Sequence, residues 1–381
     1  MLLDRSPKYL AISRDIEALI RTGRWKDGAA LSARRIAEEH GVSVVTASRA
    51  LQVLRDRGLI QTVERLGSYL APAAPVAATG EKWAVCFRVT PGPWYQASLS
   101  TTRSGFQEMA RRQGVVLDTE TFEDGSRATV AELRRRAQRG VAAGVGGVFF
   151  LPSRLSVESA QADEATLDAC RASGLPVVLI ERNLRGRGRP LEYDLVGTDD
   201  VDGGFRCTRH LLEQGRRRVA FVMGSPTSSH EGRLAGYLCA LFQATSAEGL
   251  ASEPLVFEQP SEVPSKAAYQ QLADRILADR VDGVVCFQDY TAIGLILELL
   301  TRGVQVPQDV ALTGFDDLPI GDSFALGVTT YAPPAEAVAE EALNVMRRRV
   351  ANPAAPPVKV LVPGRLIVRE SSRFAPEAPV D

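Results

Sequence analysis

The stretch Ala71-Pro72-Ala73-Ala74-Pro75-Val76-Ala77-Ala78-Thr79-Gly80 carries no charge and no amphipathic period. Such a segment has no apolar face to bury, so it reads as a linker, and it divides the chain into two parts with different grammar. Before it the apolar spacing is helical, followed by a short hairpin pattern. After it, short apolar runs alternate with amphipathic helical patterns to the end. At 381 residues the chain is long enough for roughly two to three domains of ~150 residues each. The boundaries expected are a head over 1–72, a linker over 73–82, a body over 83–372 and a tail over 373–381. No short internal repeat interrupts this plan.

Charge follows the same division. The whole chain sums to −1 from 45 basic and 46 acidic residues. The first 80 residues hold 12 Lys and Arg against 8 Asp and Glu, a balance of +4, which leaves −5 for the rest. A basic head on an acidic body hints at nucleic-acid contact by the head, although ordinary solvated charge gives the same number. No apolar run reaches the ~20 residues of a membrane span. The opening residues have no uninterrupted apolar core and no small-residue cleavage site, so a cytoplasmic protein is expected. Five scattered cysteines (Cys86, Cys170, Cys207, Cys239, Cys286) form no CxxC pair, and three histidines (His40, His210, His230) stand far apart. This argues for a reducing compartment and against disulfides, a metal site or any cofactor.

In the head, Ile12, Ile16, Leu19 and Ile20 repeat at helical spacing. Ser32 is an N-cap candidate for a helix over 33–40, Gly41 suits its C-terminal stop, and Ser43 caps a third helix carrying Ala47, Ala50, Leu51 and Leu54. Two helices about a tight glycine turn are the helix-turn-helix pattern. Residues 59–72 read as two strands around a turn, a wing.

The segments Leu31-Ser32-x-Arg34-x-Ile36-Ala37, Gly41-Val42-Ser43-x-x-Thr46, Ala50-Leu51-x-x-Leu54, Gly58-Leu59-Ile60 and Gly67-Ser68-Tyr69-Leu70 together resemble the GntR-type winged-helix DNA-binding domain. The resemblance implies a third helix in the major groove and a wing near the minor groove. It places Ser32, Arg34, Ser43, Val44, Thr46, Ser48 and Arg49 at the DNA, with Gly67 and Ser68 at the wing tip. Ser43 can serve as helix cap, phosphate contact or both. Val44 stands where that family commonly has arginine, and Ser48 occupies its next arginine position, with Arg49 one residue later. Valine can touch a thymine methyl but cannot make the bidentate guanine contact, so an altered operator preference is expected.

The body reads as an α/β protein with parallel sheets and crossover helices, in two similar lobes with a ligand cleft at the strand C-terminal ends. Its motifs include Val196-Gly197-Thr198-Asp199-Asp200, Arg233-Leu234-Ala235-Gly236-Tyr237, Phe287-Gln288-Asp289-Tyr290-Thr291-Ala292, Gly314-Phe315-Asp316-Asp317 and Arg369-Glu370-Ser371. In this order they resemble the effector domain of LacI/GalR-type repressors, itself similar to periplasmic sugar-binding proteins. A GntR-type head on such a body resembles the arabinose-repressor architecture.

This resemblance implies a sugar-like effector. Arg233, opening a helix, would offer its planar fork to vicinal hydroxyls. Gln288, Asp289, Asp316 and Arg182 would line the cleft, with Trp94, Tyr95 and Phe315 as aromatic faces. Each has a plainer role open to it. Asp289 can cap the following helix, and Asp316 can brace the hinge. Arg182 can belong to the arginine-rich loop 182–189, and Trp94 can pin its own loop.

There is no GxSxG, HExxH or Walker A motif and no GxGxxG after a strand, so no enzyme is expected. The reading is a transcription regulator, a repressor, that binds operator DNA as a homodimer and answers to a small sugar-like molecule. A second reading is a solute-binding sensor module whose head contacts a protein.

Overall fold

A computed structural model describes residues 8–21, 32–56, 60–63, 67–70, 81–87, 93–122, 128–153, 157–184, 186, 188–225, 227–248, 253–259, 265–319, 321 and 326–373. They divide into two compact units. One takes in residues up to 80 together with Ser100–Val116, and the other Glu81–Leu99 and the chain from Leu117 onward.

In the head, α1 (Lys8–Arg21), α2 (Ala33–His40) and α3 (Val44–Asp56) precede β1 (Ile60–Val63) and β2 (Gly67–Leu70). The two strands pair antiparallel, Ile60 opposite Leu70 and Val63 opposite Gly67, which makes the wing. The expected local chemistry is present. Ser32 Oγ accepts the Arg35 amide at 3.4 Å. Gly41 sits at φ +61° and its N–H donates to Ala37 O, closing α2. Ser43 Oγ accepts the Thr46 amide at 3.2 Å, opening α3. Caps of this kind stabilise a helix by about 1 kcal/mol each. Ile12, Ile16, Ile36, Ala37, Ala47, Ala50, Leu51, Leu54 and Ile60 share one core. Alanines at 47 and 50 are what let the helices approach closely enough to form the turn.

Beyond the linker come β3 (Lys82–Phe87), α4 (Pro93–Gln113), β4 (Val116–Asp118), α5 (Val130–Ala142), β5 (Val148–Leu151), α6 (Val157–Ala172), β6 (Val177–Ile180) and β7 (Asp194–Thr198). Next are α7 (Asp200–Glu213), β8 (Val219–Met223), α8 (Ser228–Glu248), β9 (Leu255–Glu258), α9 (Lys266–Ala278), β10 (Gly283–Cys286) and α10 (Asp289–Thr301). The chain closes with β11 (Ala311–Phe315), β12 (Thr329–Ala332), α11 (Ala335–Ala351), β13 (Lys359–Val362) and β14 (Arg365–Ile367).

Two six-stranded sheets result, ordered β13-β7-β6-β5-β3-β4 and β14-β12-β11-β10-β8-β9. Strands β5, β6, β7, β8, β10, β11 and β12 are buried along their whole length. That is the pattern of parallel strands covered on both faces. The first lobe gathers around Val148, Phe150, Leu167, Leu179 and Leu195. The second gathers around Phe221, Tyr237, Leu272, Val284, Ile296 and Leu312. The chain changes sheet three times: from β7 into α7, which packs on β11 and β12; from β12 into α11, which packs on β6 and β7; and from β13 into β14.

The crossings explain what the sequence concealed. Neither β12 nor β14 stands out as a strand in the sequence, since Thr329–Ala332 lacks a run of branched aliphatics and Arg365–Ile367 is three residues long. β14 is also the one antiparallel partner in its sheet among the described pairs.

Candidate ligand site and nucleic-acid interface

The segments leaving the C-terminal ends of the strands bring the functional side chains together. From the first sheet come Glu181, Arg182 and Asn183 after β6, and Asp200 after β7. From the second come Phe287 and Gln288 after β10, and Asp316 after β11. The Asn183 amide donates to Ser228 Oγ at 2.9 Å, joining the two lobes at this end.

Arg233 is the centre of the site. It lies in the second turn of α8 rather than opening it, because the helix begins five residues earlier at Ser228. Its Nε donates to Asp200 Oδ1 at 2.8 Å. Nη1 donates to the Phe287 carbonyl. Nη2 stands 3.6 Å from Asp316 Oδ1. The guanidinium lies 3.5 Å over the centroid of Phe315, whose ring is 4.9 Å from that of Tyr331. A buried cation held by a carboxylate, a carbonyl and an aromatic face is well satisfied.

The electrostatics are tight. Burial pushes the Asp200 carboxyl up to about 7, against the pull of Arg233, and Glu181 and Asp316 add to the upward push. Burial also raises Glu181, whose Oε2 accepts the Thr198 amide at 3.0 Å. Burial draws the Arg233 guanidinium down, but Asp200, Asp316 and Glu181 together outweigh it, and the net direction is upward. Three carboxyls therefore surround one central cation.

The remaining expected residues divide. Gln288 is buried at the N-cap position of α10 and makes no capping bond with its side chain. Phe315 is buried beneath Arg233. Asp316 adopts φ +97° and turns toward Arg233. Arg182 donates from Nε to Pro152 O at 2.8 Å, which ties it to the end of β5.

Asp289 is the clear correction. It is fully buried, and its Oδ2 accepts the Leu318 amide at 2.8 Å. Burial raises its pKa well above the usual carboxylate range. It braces the turn after β11 instead of facing a ligand, and it does not cap α10, whose N-cap is Gln288. Trp94 and Tyr95 lie in the first turn of α4 rather than in a loop, and their side chains fall outside the described residues.

Sequence reasoning missed Asp200, Glu181 and His230 as site residues. His230 precedes Arg233 by three residues, so both lie on one face of α8. Its Nδ1–H donates to Ser225 O at 2.8 Å and its ring is 4.7 Å from Phe287. Asp200 had a readable signal, an acid directly after a buried strand, but its pairing with Arg233 spans 33 residues.

In the head, α3 buries Ala47, Ala50, Leu51 and Leu54 and turns Val44, Val45 and Arg49 outward, with Ser48 half-buried between them. Val44 is 50% and Val45 67% exposed, so their methyl groups stand open on the outward face of α3. Ser43 Oγ lies 2.9 Å from Thr46 Oγ1, so the two hydroxyls stand together at the start of α3, and Arg34 is exposed on α2. Ser32 and Ser43 both serve as caps. Gly67 and Ser68 begin β2 opposite Val63 and Thr62, and their side chains fall outside the described residues.

Among the described residues no helix is long and apolar enough to cross a membrane, and no group of three or more His, Cys, Asp or Glu could hold a metal ion.

Residues 8–70 match the bacterial regulatory proteins of the gntR family, and residues 208–372 match the periplasmic binding protein-like domain. The chain is 24% identical over 349 residues to the HTH-type transcriptional regulator DegA of Bacillus subtilis, covering 88% of this chain and 96% of that one. It is 28% identical over 330 residues to the HTH-type transcriptional regulator GntR of Pseudomonas aeruginosa, covering 83% and 88%. The solved complex of the transcriptional regulator CelR with cellobiose shares the fold, with a TM-score of 0.60 at 22% identity over 87% of this chain and 91% of that one.

Proposed function

We propose that this chain, which joins a gntR-family helix-turn-helix domain to a periplasmic-binding-protein-like body, is a transcriptional repressor that binds operator DNA as a homodimer and is retuned by a small sugar-like effector. The observation that carries this reading is the presence in one chain of an outward α3 face and an Arg233-centred site at the C-terminal ends of two sheets. α3 enters the major groove with Val44, Val45, Ser48 and Arg49, Arg34 and Thr46 contact the backbone, and the wing carrying Gly67 and Ser68 follows the neighbouring groove.

The effector contacts Arg233, Gln288 and Asp316 and is held between the lobes. It alters operator affinity only as far as it binds two lobe arrangements unequally. A single winged helix makes few base contacts, so two copies on a pseudo-palindrome are the functional unit. Leu238 and Phe242 on α8 and Leu297 and Leu300 on α10 are exposed apolar positions that a second copy would cover.

A mobility-shift titration of the full chain against the DNA upstream of its own reading frame tests this. The expected result is a specific shift whose affinity falls with salt and changes when sugars are added. Absence of a specific shift at every salt concentration overturns it. Absence of a shift with retained sugar binding favours a solute sensor whose head meets a protein.

A further inference from the structure

We infer that the effector carries no negative charge: it is a hydroxyl-rich, uncharged molecule, not a sugar acid or sugar phosphate. The inference rests on the effector reading above and narrows it.

Arg233 is the cation any anionic ligand would seek, and it is already committed. Asp200 holds Nε at 2.8 Å, the Phe287 carbonyl holds Nη1, and the Phe315 ring covers one face of the guanidinium. The loosest contact is Nη2 to Asp316 Oδ1, at 3.6 Å. A ligand atom entering there meets a donor on one side and a carboxylate on the other.

A hydroxyl satisfies both, accepting from Nη2 and donating to Asp316. A carboxylate or phosphate oxygen only accepts. It would accept from Nη2 but press a like charge against Asp316, which stands 3.6 Å from the same nitrogen. The second cation nearby, Arg182, is anchored at Nε by the Pro152 carbonyl, and its charge acts on Glu181. Among the described residues the site is thus rich in acceptors and its central cation is already paired, which is what a polyol fits and an anion does not.

The test is calorimetric titration of the full chain at constant ionic strength with matched sets: glucose, gluconate and glucose 6-phosphate; ribose and ribose 5-phosphate; cellobiose and cellobionate. For any set that binds, the charged member is expected to be weaker than its parent by at least about tenfold. A charged member that equals or exceeds its parent overturns the inference while leaving the effector reading standing. Asp316→Asn supplies a second readout. Removing the facing charge is expected to narrow the parent-to-acid ratio at least about threefold, whereas a purely structural role would weaken both members alike, and an unchanged ratio overturns the charge argument. If no member of any set binds, the sugar-effector reading itself fails.

Discussion

The Tyr331 hydroxyl donates to Asp202 Oδ2 at 2.6 Å and accepts the Gly364 amide proton, also at 2.6 Å. Asp202 is in α7, just past the first crossing between sheets, Tyr331 is in β12 before the second, and Gly364 lies between β13 and β14 at the third. One phenol therefore touches all three places where the chain changes lobe. A Cβ at Gly364 would collide with the Ala332 carbonyl and stand 2.7 Å from the Tyr331 ring, so no larger residue fits there.

Tyr331→Phe keeps the ring on Phe315 and deletes both hydrogen bonds. Leaving the Gly364 amide and the Asp202 carboxylate without this partner is expected to destabilise the body by about 1–3 kcal/mol. Thermal unfolding of the variant checks this, and an unchanged midpoint would remove the crossing role assigned to the phenol.

Above about pH 7, where Asp200 is ionised in the natural fold, Arg233→Met leaves that carboxylate buried without its cation, and the loss expected is about 3–5 kcal/mol of stability together with the effector response. Combining it with Asp200→Asn removes the stranded charge, and most of the stability should return while the effector response stays absent. Denaturant titrations of the single and double variants make the comparison. A double variant as unstable as Arg233→Met alone would show that the pair is not coupled as the geometry implies.

Two buried groups give opposite pH dependences. Asp200 holds its proton in the fold up to about 7, whereas the unfolded chain releases it near 3.8. Its contribution is complete below about pH 4 and is lost as pH rises toward 7. The melting difference between the natural chain and Asp200→Asn should therefore move against the natural chain over that rise. His210 is lowered from 6.5 by burial, with Nε2 at 2.7 Å from Ser372 Oγ. Its contribution is complete above 6.5 and is lost as pH falls below it. His210→Gln should flatten that acid limb, and parallel melting curves for variant and natural chain across both ranges would contradict the assignments.

The outward valines predict methyl readout. In duplexes selected in vitro by the full chain, replacing contacted thymines by uracil should weaken binding by about fourfold per methyl, the effect of ~0.8 kcal/mol of lost apolar contact. Val44→Ala with Val45→Ala should be indifferent to the same replacement. Equal sensitivity in both proteins would assign the methyl effect to DNA shape instead.

The head was legible because its signals are local. Ser32, Gly41 and Ser43 act through hydrogen bonds and backbone angles within four residues, so the helix ends could be read directly. The two-lobed α/β body was legible from its buried apolar runs. The three crossings were not, because α7 and α11 carry no mark of which sheet they cover. In the site, Arg233 could be identified from its RxxG motif, but Asp200 and Glu181 approach it through strand order, which nearest-neighbour spacing does not encode. Asp289 misled for the reverse reason. It follows a strand as a ligand contact would, and only the turn at Leu318 shows where one of its carboxylate oxygens is held.

Helices α7 and α8 meet through glycine. A Cβ at Gly204 would overlap the Arg233 carbonyl, one at Gly236 the Val201 carbonyl, and one at Gly232 would lie 2.9 Å from Asp200 Cβ. Backbones that close behave as one strut. Asp200 and Arg233 ride on the same strut, so swinging one lobe against the other leaves their separation as it is. Motion alone has no means of freeing the guanidinium, and only a molecule that outcompetes its neighbours can do so.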